Sequence, residues 1–142
     1  VELEESDFTS LPDYNRLIAS VSGTMRLTHG ANGSEKLVLP RSTVYAFDGG
    51  IQTHCVGKAR DLNLMLRKGA AEGELVFVDS GTELNLEPAA NETMLLFELE
   101  SGNAALCAGG NARLRCTANG QCALFTVRLV GEAIPDSDNR NG

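Results

Sequence analysis

The sequence predicts an all-β protein, and three observations carry that expectation. Strict alternation of apolar and polar residues marks Arg60–Gly69 (RDLNLMLRKG). Turn residues recur at roughly ten-residue intervals along the chain. No segment of about ten residues holds an apolar stripe at helical spacing. In the first of these stretches Leu62, Leu64 and Leu66 share one face, while Asp61, Asn63, Met65 and Arg67 share the other. A helix would scatter the three leucines around its circumference, so the strand reading wins. The leucine face is expected in a core. The polar face is either the solvated side of a sheet or the wall of a pocket, and Met65, which gains nothing from water, favours the pocket.

The other elements follow from the same signals. Residues 4–14 read as an irregular lead-in with a turn at Pro12-Asp13. Arg16–Ser22 reads as a strand that turns through Ser22-Gly23-Thr24 into Met25–His29, a hairpin. Gly30–Ser34 is a turn, and Glu35–Pro40 the next strand, with Leu37 and Leu39 on one face. Thr43–Phe47 runs into Asp48-Gly49-Gly50, where the glycines are expected to supply positive φ. Ile51–Val56 leads through Gly57-Lys58-Ala59 into the leucine strand. Beyond Gly69, strands are expected at 74–78, 82–86, 93–99, 104–108, 112–117 and 122–130, and only Ala70–Glu72 offers room for a helical turn. Cys116 and Cys122 flank what reads as a hairpin turn. The tail, 135–142, has no apolar residue after Pro135 and is expected to be disordered. About eleven or twelve short strands with Gly and Asn turns describe a sandwich or barrel. Expected core residues are Leu62, Leu64, Leu66, Leu95, Phe97, Leu124 and Val127, with Phe125 on the face opposite Leu124.

Length and charge narrow the function classes. The 142 residues suffice for one domain or two very small sheets sharing a core. A net charge of -7 opposes nucleic-acid binding, which needs clustered Lys and Arg. No apolar run approaches the roughly 20 residues of a membrane helix. The first residues, Val1-Glu2-Leu3-Glu4-Glu5, have no initiator Met and do not read as a signal peptide, so a longer chain is expected upstream. Cysteines 55, 107, 116 and 122 lack the CxxC spacing of zinc sites. Reduced thiols in a cytoplasmic protein are expected, with a Cys116–Cys122 bridge left open.

With these residues in place a family likeness emerges. Ser6–Arg16 (SDFTSLPDYNR), a Gly-containing hairpin, a Pro40-to-Phe47-Asp48-Gly49 turn and then RDLNLMLRKG resemble the HutD/Ves proteins of bacteria. The Asp61–Arg67 strand carries most of the likeness, supported upstream by Phe8, Pro12 and Arg16; after Gly69 only the spacing agrees. The resemblance implies a cupin-type fold with two small barrels in one chain, a bicupin domain over 1–134. It also implies a poorly defined role tied to histidine utilisation or stress response. Two departures stand out. The Asn-Gly-Gly-rich segment that usually opens the family is absent, so the first barrel would lack an edge strand or borrow one, and the loop 107–122 matches nothing in the family.

The chemistry-bearing residues are few. His29 and His54 belong to no HxH or HExxH pattern, so no metal is expected, although Asp61 or Glu98 would complete a two-His site on paper. No Ser sits in GxSxG, Gly109-Gly110 is no phosphate loop, and no cofactor box is present. The candidate ligand-binding residues are Arg16, His54, Asp61, Asn63, Met65 and Arg67, with Arg16 within reach of Asp61. A buried Arg can clamp a carboxylate bidentately. Three functions stay open: a non-enzymatic binder or sensor of a small carboxylate, a metal-independent enzyme with Asp61 as base and His54 as acid, or a structural protein working as a homodimer.

Overall fold

The computed structural model describes residues 5–30, 35–110 and 112–131, and every regular element among them is a strand. The expected tail at 135–142 and the turn residues 31–34 lie outside the described residues. The chain divides into two compact units, Val1–Arg67 and Lys68–Gly142.

The first unit contains β1 (Glu5–Phe8), β2 (Tyr14–Ser22), β3 (Met25–His29), β4 (Glu35–Leu39), β5 (Val44–Asp48), β6 (Thr53–Val56) and β7 (Arg60–Arg67). They form two antiparallel sheets, ordered β1-β6-β3-β4 and β5-β2-β7. Alternation sends one residue in two inward: Met25, Leu27, Leu39 and Cys55 from the first sheet meet Ile18 and Phe47 from the second. Phe8, Tyr45 and Ala59 pack against this cluster, and Ile18 and Leu27 have no exposed surface at all.

The second unit contains β8 (Ala71–Val78), β9 (Glu83–Leu86), β10 (Glu92–Glu98), β11 (Ala104–Ala108), β12 (Leu114–Thr117) and β13 (Cys122–Leu129). A sheet ordered β11-β10-β13-β8 and a ribbon β12-β9 enclose Val78, Leu86, Leu96, Cys107, Ala118 and Cys122.

Several expectations change. The lead-in contains strand β1, whose Glu5, Ser6 and Asp7 are exposed, so it has no apolar alternation to betray it. Ala71 and Glu72 open strand β8, not a helical turn. β2 and β3 are not a hairpin: β2 pairs with β5 and β7, β3 with β4 and β6. β12 and β13 likewise belong to different sheets, so Cys116 and Cys122 do not face each other across a ladder; all four cysteines are free thiols. Gly49 does not serve a positive φ. A β carbon there would stand 2.6 Å from the carbonyl oxygens of both Leu11 and Tyr14, so Gly49 permits a close backbone approach.

The expected core holds at Leu66 and Leu124 and changes elsewhere. Leu62, Leu64 and Leu66 lie across the ladder from Ala19, Leu17 and Asn15, on the face of β2 opposite Ile18 and the first unit's cluster. Leu66 is buried there, while Leu62 and Leu64 are half-buried. In β10 it is Leu96, with Met94, that meets the second cluster together with Leu124. Leu95, Phe97 and Val127 share the other face with Phe125, all half-buried. Both sheets carry apolar residues on two faces, so alternation alone does not say which face is the centre.

Candidate functional site

Register builds the site in the first unit. In the β2–β7 ladder Tyr14 stands opposite Arg67, Arg16 opposite Met65, Ile18 opposite Asn63 and Ser20 opposite Asp61. Directly opposed residues share a face, so the polar row of β7 lies on the same side as the core residue Ile18. An irregularity between Ser20 and Ser22 re-aims β2 beside Asp61.

Arg16 is the centre of this row. It is only 6 % exposed, and its Cζ lies 4.7 Å from the Phe8 ring centroid and 5.5 Å from that of Phe47. Nη1–H donates to the Thr9 carbonyl at 3.4 Å and Nη2–H to Asn63 Oδ1 at 3.2 Å. Asn63 Nδ2–H in turn donates to Asp61 Oδ2 at 3.0 Å. Nε of Arg16 is buried and has no hydrogen-bond partner among the described residues. Burial lowers the Arg16 pKa from its ordinary value, and the Asp61 charge opposes that change. The expected contact with Asp61 is therefore relayed through Asn63. The aromatic wall is held in turn by His29. Thr53 Oγ1 donates to the Ile51 carbonyl, so it accepts from His29 Nδ1–H at 2.9 Å, which leaves Nε2 to accept from the Tyr45 hydroxyl at 2.6 Å. The His29 ring sits 5.2 Å from that of Phe47, which itself stacks with Tyr45 and Phe8.

A cavity of about 180 Å³ adjoins the row, lined by Glu5, Phe8, Met25, Cys55, Ala59 and Asp61 among others. Burial pushes the Cys55 thiol up, with the Asp61 charge adding to the effect, so Cys55 is no ready nucleophile. Met65, 47 % exposed, and Arg67 lie further along the face, at the solvent. His54 is not part of this group. Cys55 points into the core, so its neighbour His54 points to the outer face of β6. There Nδ1 lies 2.7 Å from Asp7 Oδ1 and Nε2 3.2 Å from Glu5 Oε1. The hydrogen bond to Asp7 is the main cause raising the His54 pKa, with Glu5 adding to it.

Sequence reasoning missed Phe47, Thr9 and Cys55 as site neighbours. Phe47 alternates with Tyr45 in β5 and was legible as apolar, but its place beside Arg16 depends on the β2–β5 register, which pairs the two residues directly. A second cavity, about 230 Å³, lies in the second unit among Leu96, Glu98, Leu114, Cys116, Ala118 and Cys122. It is larger and mainly apolar, but no buried polar side-chain atom there lacks a partner, so the Arg16 row is the better candidate. Among the described residues no group of three or more His, Cys, Asp or Glu is placed to hold a metal ion, and no helix is long and apolar enough to cross a membrane.

A profile of the HutD family matches residues 2–129. The chain belongs to the HutD family. Two solved structures share its fold: HutD from Pseudomonas fluorescens SBW25, in a formate condition, and the conserved protein of unknown function PA5104 from Pseudomonas aeruginosa PAO1. The first is 24 % identical, with a TM-score of 0.69 over 90 % of this chain and 75 % of that one. The second is 26 % identical, with a TM-score of 0.66 over 89 % and 77 %. A search of curated proteins finds no match. The HutD fold of this chain is all-β and cupin-like.

Proposed function

We propose that this HutD-family chain is a non-enzymatic binder or sensor of a small carboxylate, with Arg16 as the anchoring group. One observation carries the reading: Arg16 is 6 % exposed, its guanidinium lies beside the stacked rings of Phe8 and Phe47, and its Nε–H has no hydrogen-bond partner among the described residues. An unsatisfied buried donor costs about 1–3 kcal/mol, and a carboxylate oxygen is the acceptor that best removes that cost. The two long bonds to Thr9 and Asn63 leave further N–H groups of the guanidinium unused. Asn63 and Asp61 orient it, Met65 and Arg67 border it, and no cofactor or metal enters the reading.

The enzymatic alternative needs Asp61 and His54 on one substrate, and His54 points from the outer face of β6 toward Asp7 and Glu5. We therefore favour binding over catalysis. Each compact unit is read as one small barrel of a bicupin spanning 1–134, which two units of seven and six strands support. The family's tie to histidine-degradation genes makes acids from that breakdown the first ligands to try, and the four free thiols suit a cytoplasmic protein. The test is a thermal-shift series with formate, acetate and histidine-derived acids. An acid at 100 times its Kd adds about 2.7 kcal/mol of stability, and Arg16→Met should remove that shift. A parent protein unmoved by every acid would defeat the proposal.

A further inference from the structure

We infer that the ligand of the Arg16 site is dipolar: a small amino acid or a related molecule whose carboxylate meets Arg16 and whose cationic nitrogen sits against Asp61. This rests on the carboxylate reading above and names the ligand class within it.

The site has two poles. Arg16 is the positive one, buried and short of acceptors. Asp61 is the negative one, exposed on the same face and lining the adjoining cavity of about 180 Å³, whose wall reaches Arg16 through Phe8, the ring on which the guanidinium lies. Glu5, the second carboxylate of that wall, has its Oε1 against His54, so Asp61 is the less neutralised group. A structural ion pair would close directly, with the carboxylate forked onto the guanidinium. Here Asn63 stands between them, its Oδ1 taking a proton from Arg16 and its Nδ2–H donating to Asp61 Oδ2. One amide thus spaces the poles, and Asp61 Oδ1 accepts no hydrogen bond among the described residues. A diacid would bring its second carboxylate against Asp61 and be repelled, while a plain alkanoate would leave Asp61 unused. A ligand carrying an ammonium or protonated ring nitrogen satisfies both poles at once, and the Phe8 ring beside Arg16 supplies an apolar wall for its body.

The test is isothermal titration of the whole chain with matched pairs: glycine and acetate, 3-aminopropanoate and propanoate, 4-aminobutanoate and butanoate, with succinate and glutarate as diacids. At one chain length the amino acid should bind at least about tenfold tighter than its alkanoate, the gain of one charge-assisted hydrogen bond. The diacids should bind more weakly than the amino acid. In Asp61→Asn the two members of that pair should bind alike; Asp61 is exposed, and a melting curve verifies that the variant is folded. Alkanoates that bind as tightly as every amino acid, in an Arg16-dependent way, would overturn the dipolar ligand and leave the carboxylate reading standing. No Arg16-dependent binding by any compound would overturn both.

Discussion

Replacing Arg16 with Met should leave the unliganded protein as stable as the parent, or make it more so. The balance follows from the environment of the side chain. Lost are two long hydrogen bonds, to Thr9 at 3.4 Å and Asn63 at 3.2 Å, and the cation–ring contacts with Phe8 and Phe47. Each ring contact is worth about 0.5–2 kcal/mol. Removed at the same time are the orphaned Nε, a cost of about 1–3 kcal/mol, and the desolvation of a charge that is 94 % covered, given its 6 % exposure. Asn63 and Thr9 are exposed, so their freed acceptors return to water. Met fills the space beside the stacked rings and keeps a sulfur–aromatic contact. Exchanging a buried ionic group for apolar volume is commonly neutral or stabilising by about 1–4 kcal/mol. Urea unfolding of parent and variant, compared at equal slope, measures the difference. A loss of more than about 3 kcal/mol would mean that Arg16 holds the first unit together, and the argument that it is kept for a ligand would fail.

Further outcomes follow from other parts of the first unit and from the thiols. His54 has a raised pKa in the fold, chiefly through Asp7, so its contribution to stability is full below the ordinary value of 6.5 and is lost as pH rises through the raised value. The melting temperature of the parent relative to His54→Gln should therefore fall as pH rises above 6.5 and through the raised value, and a pH-independent difference would remove the clasp between β1 and β6. Native alkylation at neutral pH, read by mass spectrometry, should reach half-buried Cys116 before Cys55 and Cys122, whose thiols burial pushes up; equal rates would contradict their placement. Four thiols should titrate after unfolding without reductant. Gly49→Ala forces a β carbon to 2.6 Å from two carbonyl oxygens and should cost about 1–3 kcal/mol; an unchanged midpoint would show that the 9–14 segment is not seated on Gly49.

Much of the fold was legible because strand signals are local. The alternation in β7 and β3 and the turn residues along the chain need no knowledge of partners. Sheet membership is different. Ser22-Gly23-Thr24 looks like a hairpin turn, yet β2 and β3 go to separate sheets, because pairing is decided by distant strands. The central face of β10 was ambiguous for a physical reason: Leu95, Leu96 and Phe97 are consecutive apolar residues, so both faces of the strand are apolar and alternation carries no information there. At the site, the parity of β7, which puts Asp61 and Asn63 on one face, was visible, whereas the β2–β7 register that brings Arg16 to Asn63, and through it to Asp61, was not. His54 was grouped with them on residue type alone. The parity of β6 decides otherwise, since Cys55 faces the core and its neighbour must face away. The ring pair beside Arg16 was invisible, because Phe8 belongs to a strand with no apolar alternation and Phe47 meets Arg16 through register.

The most direct measurement watches the orphaned donor itself. In a proton–nitrogen correlation spectrum of the arginine side chains, the Arg16 Nε–H resonance is assigned by its loss in Arg16→Lys. Titration with a small carboxylate that stabilises the protein should move that one resonance saturably, with the other arginines still, because the ligand supplies the acceptor that Nε lacks. A resonance that stays in place while such a ligand binds would contradict the assignment of Arg16 as its anchor.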